Sequence, residues 1–242
     1  MAGIEDVIDR DHAIKLLSGV AVLDRVAADL LQHVDEWRVE HSRAEQSELV
    51  SEIPHIAFWR GFLSPFECAY VLAVARSDMR RAEVRDRRTE THMESGIHVS
   101  QTTWWSPDEM DSVLRAIFEK TVKAFGGRVD LAEPMTVARY QVGDRFMAHV
   151  DAYRTYSDEE PSEIVRETTS IVYLNDGYEG GSTSFLTPDL QISGRTGDLL
   201  HFRNLTPSGE VDRASVHAGL PVTAGEKWVL VQWVRGPASS RV

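Results

Sequence analysis

Phe146-Met147-Ala148-His149-Val150-Asp151-Ala152-Tyr153 is a β-rich run in which two metal-competent side chains stand two residues apart. In a strand such residues point to the same face, so the His149 imidazole and the Asp151 carboxylate can be presented to one point. A third group, His217, stands in a later β-rich run, Ser215–Val222. Two histidines and one carboxylate make the facial set that binds Fe(II) and leaves coordination positions open. A His-x-Asp triplet alone is a weak signal, because such triplets arise by chance. The surrounding sequence decides its meaning.

Outward from this run lie further short β-rich stretches: Met135–Val142, Thr168–Leu174, Thr183–Leu186, Asp198–Phe202 and Lys227–Val234. Turn residues separate them, among them Gly143-Asp144, Asn175-Asp176-Gly177, Gly180-Gly181, Gly194, Gly197 and Ala224-Gly225. So many short strands predict a sandwich or a jelly-roll barrel. Before them the character is helical. From about residue 4 to 46 apolar residues recur at helical spacing, as in Val20, Leu23, Val26, Ala27, Leu30, Leu31, Val34 and Trp37. Ser64-Pro65-Phe66-Glu67 and Ser106-Pro107-Asp108-Glu109 each read as a helix start, with Ser as cap, Pro at the first helical position and Glu reaching back. The second helix then carries Met110, Val113, Leu114, Ile117, Phe118 and Val122 on one face and stops at Gly126-Gly127. The expected organisation is a helical extension over residues 1–50, packed on a single domain over residues 51–242.

Composition bounds the partners. With 26 Lys and Arg against 38 Asp and Glu the net charge is −12, and such a surface repels phosphate backbones. The cluster Arg80, Arg81, Arg85, Arg87 and Arg88 is interrupted by Glu83, Asp86 and Glu90, and reads as a solvated, salt-bridged surface. No nucleic-acid partner is expected. Cys68 is the sole cysteine, so a metal must be held by His and carboxylate rather than thiolates. No signal segment and no long apolar run occurs, so no membrane partner and a cytoplasmic location are expected.

Two further features surround the His-x-Asp run. Lys227, in Gly225-Glu226-Lys227-Trp228, supplies a cation, while Tyr140 and Tyr173 supply phenols for an acidic small molecule. These stretches resemble the prolyl 4-hydroxylase branch of the Fe(II)- and 2-oxoglutarate-dependent dioxygenases. The resemblance runs from Tyr140-Gln141-Val142-Gly143-Asp144 through His149-Val150-Asp151, Arg166, and Thr169 to Asn175. It continues through Gly180-Gly181-Ser182-Thr183-Ser184-Phe185 and Gly197–Phe202, and ends with Ser215–Val222 and Gly225 to Arg235. It is strongest over about residues 135–235, weaker over 53–75, and absent before residue 50.

The resemblance implies a mainly β chain with supporting helices, built on a double-stranded β-helix, the jelly-roll or cupin-like core. It implies Fe(II) held by His149, Asp151 and His217, with 2-oxoglutarate bound through Lys227, and with Tyr173 and Thr169 at the far end of the cosubstrate and Tyr140 at its metal end. It also implies O2 as a reactant and ascorbate as a stimulant. The reaction expected is hydroxylation of an amino acid, an amino-acid-derived metabolite or a prolyl peptide, with succinate and CO2 as coproducts. Related halogenases carry Gly or Ala where Asp151 stands, so the carboxylate points to hydroxylation. Strand parity supports a common interior for part of this set, since Thr169, Ile171 and Tyr173 share one face, as do Lys227, Val229, Val231 and Trp233.

Other residues are read more plainly. His12, His33 and His41 fall on the amino-terminal helices, His92 and His98 in a polar stretch, and His201 in a strand where packing explains it. Arg166, Trp233 and Trp105 are candidates for substrate contact, although His98-Val99-Ser100-Gln101 departs from the Arg-containing strand of the family. The acidic stretch 157–163, with Glu159, Glu160 and Glu163, is read first as solubilising and second as a loop selecting a cationic substrate. The expected partner is a small molecule or short peptide, and the amino-terminal helices leave room for a homodimer. The competing readings are a cupin-like metal-binding protein without 2-oxoglutarate turnover and a non-catalytic barrel.

Overall fold

The computed structural model describes residues 47–85, 92–94, 98–152 and 164–237. The amphipathic stretch before residue 47, the acidic stretch 157–163 and His12, His33 and His41 lie outside these residues. In chain order the strands begin with β1 (Glu48–Ser51), β2 (Ile56–Trp59), β3 (Arg80–Arg81), β4 (Glu83–Arg85), β5 (His92–Glu94), β6 (His98–Val99) and β7 (Gln101–Trp105). They continue with β8 (Met135–Tyr140), β9 (Arg145–His149), β10 (Ile164–Tyr173), β11 (Glu179–Gly180), β12 (Thr183–Phe185), β13 (Leu190–Ile192), β14 (Leu199–Arg203), β15 (His217–Gly219), β16 (Val222–Ala224) and β17 (Lys227–Pro237). Two helices, α1 (Pro65–Ala75) and α2 (Ser112–Lys123), follow β2 and β7 respectively.

A large sheet has the order β1-β2-β14-β10-β17-β8-β7-β3, and a smaller one the order β13-β12-β15-β9-β6. The long strands β10 and β17 form the spine of the large sheet, paired antiparallel from Ile164 opposite Pro237 to Tyr173 opposite Val229. Because side chains alternate along a strand, each spine strand serves two cores. Val172, Leu199, Leu230 and Val137 pack with α1 and α2 on one face. Ile171, Tyr173, Leu200, Val229 and Ala138 pack with Phe185 and Ile192 of the small sheet on the other. Helices, large sheet and small sheet thus form three layers, and the two sheets make the expected jelly roll of the double-stranded β-helix. No helix among the described residues is long and apolar enough to cross a membrane.

Local chemistry sets the helices. At α1, Ser64 Oγ accepts from Glu67 N and Glu67 Oε2 accepts from Ser64 N at 2.7 Å, the reciprocal cap expected from Ser-Pro-x-Glu. Glu67 is buried and also receives Lys120 Nζ of α2 at 3.2 Å, which ties the helices together. The second Ser-Pro-x-Glu behaves differently. Ser106 N and Oγ both donate to Glu109 Oε2, but this contact closes only the 3-10 turn Pro107–Glu109. The α-helix starts later, where Asp111 Oδ1 accepts from Val113 N and Leu114 N at 2.9 Å each. Asp111 Oδ2 also accepts from Tyr70 Oη at 2.7 Å, so the cap is anchored to α1. The chain leaves α2 at Gly126-Gly127 as expected: Gly126 has φ +77°, and a Cβ on Gly127 would lie 2.5 Å from Val122 O.

Other expectations shift at their edges. Residues 48–50, placed in the helical extension, form most of β1 and pair with β2. Gln101–Trp105 and Arg80–Arg81, not read as strands, pair with each other at the open side of the large sheet. Cys68 is buried and burial pushes its thiol up, consistent with packing and not metal binding. Replacing Asp111 by Ala should lower unfolding stability in urea by about 1–2 kcal/mol. Ser106→Ala should cost less than half as much, and equal losses would contradict the assignment of the cap to Asp111.

Candidate metal centre

His149 ends β9 and His217 begins β15, and the two are direct cross-strand partners in the small sheet. Between this pair and the next, Gly219 opposite Phe146, β9 carries one residue more than β15. That bulge places Phe146 and His149 on one side, with rings stacked 3.6 Å apart, where simple alternation would separate them. Asp151 lies beyond the end of β9, on a bend, and not in the strand as the His-x-Asp parity implied. It still reaches the same point because its carboxylate is drawn to the large sheet. Thr169 Oγ1 donates to Asp151 Oδ2 at 2.7 Å and Trp233 Nε1 donates to the same atom at 3.1 Å. One ligand-capable atom from each of His149, Asp151 and His217 lies within 4.8 Å of the others.

Protonation follows from the partners. His149 Nδ1 lies 2.8 Å from Met147 O and His217 Nδ1 lies 3.0 Å from Ser215 O. A carbonyl can only accept, so each Nδ1 carries a proton, and each Nε2 is the ring nitrogen turned toward Asp151 and open to a metal once it is proton-free. His149 Nε2 then faces Asp151 Oδ1 at 3.4 Å, and His217 Nε2 lies 3.8 Å from Asp151 Oδ2. Burial lowers the His217 pKa, which favours its neutral form. Burial pushes the Asp151 carboxyl up, but His217, His149 and Arg166 outweigh it and hold the group well below the usual carboxylate range. Two imidazole nitrogens and a carboxylate oxygen thus converge on one point, and a divalent cation can take the place of the imidazole protons there. The nitrogen and oxygen set fits Fe(II), and Phe185 and Phe202 line the His217 side.

Lys227 is only 4% exposed, and its Nζ donates to Gly181 O at 2.6 Å. Among the described residues no carboxylate lies within ion-pair reach of it. The ammonium sits 5.3 Å from the Tyr173 ring centroid and 5.8 Å from that of Tyr140. Burial lowers its pKa to about 8. A buried cation with one hydrogen bond is costly unless an anion joins it, so this cradle fits a carboxylate of 2-oxoglutarate. Gly181 has φ +65°, and a Cβ there would meet Lys227 Cδ at 3.2 Å, so only glycine brings its carbonyl so close.

Several expected roles move. Thr169 is not at the Lys227 end: it sits opposite Trp233, four residues along β10 from Tyr173, roughly 13 Å away, and holds Asp151. Tyr173 does flank Lys227, and so does Tyr140, expected at the metal end: it stands directly opposite Lys227 across β8 and β17, with its ring centroid 5.8 Å from Nζ. Trp233 faces the metal set, as parity suggested. Arg166 is engaged by Glu133, with Nε–Oε1 at 2.9 Å and Nη2–Oε2 at 2.7 Å, and stacks 3.7 Å from the Trp233 ring centroid. Trp105 lies opposite Met135 and packs against the helix-side core, away from the metal set. Its neighbour Trp104 lies opposite Thr136, itself opposite Val231, on the metal-side face. His201 stacks on Phe125 at 3.8 Å and packs on the helix side, as read. Sequence reasoning missed Asn204, whose Nδ2 donates to Thr169 Oγ1 at 2.8 Å, and Phe146, which the bulge alone places.

The comparisons agree with this geometry. A family model described as the 2OG-Fe(II) oxygenase superfamily matches residues 135–235. Prolyl 4-hydroxylase 13 of Arabidopsis thaliana is 29% identical over 197 residues, covering 75% of this chain and 71% of its own length. Prolyl 4-hydroxylase subunit alpha-2 of Gallus gallus is 31% identical over 181 residues, covering 74% of this chain and 34% of the subunit. The viral collagen prolyl hydroxylase of Paramecium Bursaria Chlorella virus-1, solved as a 2OG complex, superposes with a TM-score of 0.57 and 27% identity, covering 75% of this chain and 96% of that structure.

The lowered Lys227 pKa has opposite consequences for stability and binding. Between about pH 8 and 10.5 the unfolded chain holds the proton that the folded one has lost, so the ligand-free protein should gain stability as pH rises through that window. Binding of 2-oxoglutarate, which needs the ammonium, should be flat below pH 8 and weaken about tenfold per unit above it. Calorimetry on the Mn(II)-loaded protein checks this, and a profile unchanged in Lys227→Ala would exclude Lys227 as the anion's partner.

Proposed function

Since the chain is a prolyl 4-hydroxylase-like member of the 2OG-Fe(II) oxygenase superfamily, and hence a dioxygenase, we propose that it hydroxylates a prolyl residue in a peptide at the centre formed by His149, Asp151 and His217. In the balanced reaction one atom of O2 enters the substrate C–H bond as hydroxyl. The other enters succinate as 2-oxoglutarate loses CO2. Bound Fe(II) supplies the redox chemistry that activates O2.

The observation that carries this reading is the pairing of a converging two-histidine, one-carboxylate set at one end of the barrel with a buried cation, Lys227, at the other. In this reading His149, Asp151 and His217 hold Fe(II), and Lys227 holds the distal carboxylate of 2-oxoglutarate beside Tyr140 and Tyr173. Phe146, Phe185 and Phe202 keep water from the imidazoles. A cupin-like protein without 2-oxoglutarate turnover gives no reason to bury Lys227 without a carboxylate.

The peptide part of the reading rests on the names of the relatives and on one feature of the surface. Trp104 is 54% exposed on the metal-side face, at the open edge of the large sheet. From Trp104 the face runs through Thr136 and Val231 toward Trp233, which touches Asp151. An apolar ring at such a rim suits the face of a proline or a neighbouring side chain. The partner in this reading is a soluble peptide, the location cytoplasmic, and a homodimer is assigned to the amphipathic amino-terminal stretch.

The test incubates the protein with Fe(II), ascorbate and 2-oxoglutarate, and follows succinate and peptide mass. We expect succinate formation that is lost in His149→Ala, and a KM for 2-oxoglutarate raised about a hundredfold in Lys227→Ala. Proline-containing peptides should gain one oxygen atom, and Trp104→Ala should raise the peptide KM severalfold to about tenfold, more than it lowers kcat. Succinate formation without oxygen gain in any prolyl peptide would sink the substrate assignment, and no succinate under any condition would sink the reaction.

A further inference from the structure

The Asp151 carboxylate is held unequally. Oδ2 accepts from Thr169 Oγ1 at 2.7 Å and from Trp233 Nε1 at 3.1 Å and lies 3.8 Å from His217 Nε2, whereas Oδ1 faces only His149 Nε2, closer, at 3.4 Å. Behind each donor stands a second residue that touches neither the ligand set nor the cosubstrate cradle.

Behind Thr169 stands Asn204, which is 0% exposed. The Thr169 hydroxyl has one proton, and it goes to Asp151, which can only accept. Oγ1 can therefore only accept from residue 204, and the Asn204 amide must turn its Nδ2 toward it, at 2.8 Å. That orientation leaves Asn204 Oδ1 buried with no hydrogen-bond partner. The backbone admits little alternative, since Asn204 N donates to Glu167 O at 2.8 Å and Asn204 O accepts from Asp212 N at 2.9 Å. A buried acceptor left bare is costly, so the amide is committed to Thr169.

Behind Trp233 stands Glu133. It locks Arg166, whose guanidinium stacks 3.7 Å from the Trp233 ring centroid, and it also accepts from Arg235 Nε at 2.8 Å. Its backbone is pinned to the same strand end, where Glu133 N donates to Trp233 O at 2.9 Å and Gln232 Nε2 donates to Glu133 O at 2.7 Å. Burial pushes the Glu133 carboxyl up, but Arg166 and Arg235 hold it below its ordinary range, so it stays charged.

We propose that Asn204 and Glu133 are positioning residues of the metal centre, acting through Thr169 and through Arg166 and Trp233 to turn Asp151 Oδ2 aside and leave Oδ1 as the sole carboxylate donor. The proposal rests on the reading that His149, Asp151 and His217 hold the metal. Its consequence is coordinative: one oxygen from Asp151 leaves half of an octahedral ion open, whereas a carboxylate free to swing to two-oxygen binding would occupy one position more.

The experiment measures Co(II) binding to the whole chain by calorimetry, with the thermal midpoint of the metal-free protein as the folding control. His149→Ala tests the underlying reading, and unchanged Co(II) binding in that variant would refute the site itself. With the site established, Asn204→Leu and Glu133→Gln should each weaken Co(II) about tenfold when binding is measured well below the metal-free midpoint of each variant. Asn204→Asp keeps the shape but offers only acceptors, so it should draw the Thr169 proton away from Asp151 and weaken Co(II) at least as much. The pairs should be non-additive: adding Asn204→Leu to Thr169→Val, or Glu133→Gln to Trp233→Phe, should cost no further affinity. In turnover, succinate per hydroxylated product should rise in the single variants. Unchanged Co(II) affinity in Asn204→Leu, Asn204→Asp and Glu133→Gln, or full additivity in both pairs, would overturn the proposal.

Discussion

Two imidazole nitrogens and a carboxylate oxygen converge within 4.8 Å of one another in a largely buried place. Once proton-free, their lone pairs repel, and a protein that assembles them must force the arrangement from outside. The forcing groups are identifiable. The carbonyls of Met147 and Ser215 take the Nδ1 protons and so fix which nitrogen looks inward. A one-residue bulge in β9 turns His149 over Phe146. Thr169 and Trp233 reach from the large sheet to seize the other carboxylate oxygen.

The spine of the large sheet gives the second half of the chemistry its place. Lys227 opens β17 and Trp233 lies six residues on, on the same face of the same strand. One rigid strand therefore carries both the buried Lys227 cation and the indole that donates to the Asp151 carboxylate. The neighbouring β10 repeats the arrangement, with Tyr173 beside Lys227 and Thr169 beside Trp233. The opposite faces of these strands are occupied by α1 and α2, so the spacing between the two ends is backed by a packed core.

Much of this was legible in the chain itself. Period-two alternation on β10 and β17 gave the interior face correctly, and the His149-x-Asp151 pair with His217 named three side chains whose ligand-capable atoms the structure brings within 4.8 Å of one another. Alternation tells which face a side chain takes but not where along the strand its partner will be, which is why Thr169 seemed to belong with Tyr173. It cannot foresee register either, and only the pairing of β7 with β8 decides that Trp104 and not Trp105 faces the metal. The bulge in β9 and the bend at Asp151 break the alternation on which sequence reading relies, so Phe146 left no signal. Asn204 left none because its meaning depends on a hydroxyl proton 35 positions away in sequence. At Ser106 the capping signature was real, but a stronger acceptor at Asp111 took the helix.

The two histidines belong to the small sheet, whereas the groups that hold Asp151 belong to the large one. An ion gripping all three therefore acts as a clasp across the barrel mouth as well as a reactive centre. Its binding free energy adds to the cohesion of the two sheets, in proportion to the logarithm of free metal over the dissociation constant. The rim should accordingly open more often in chains without iron than in loaded ones, exposing the strand ends of β9 and β15 to proteolysis. Iron supply would then govern how long each folded copy of the protein survives, in addition to whether it works.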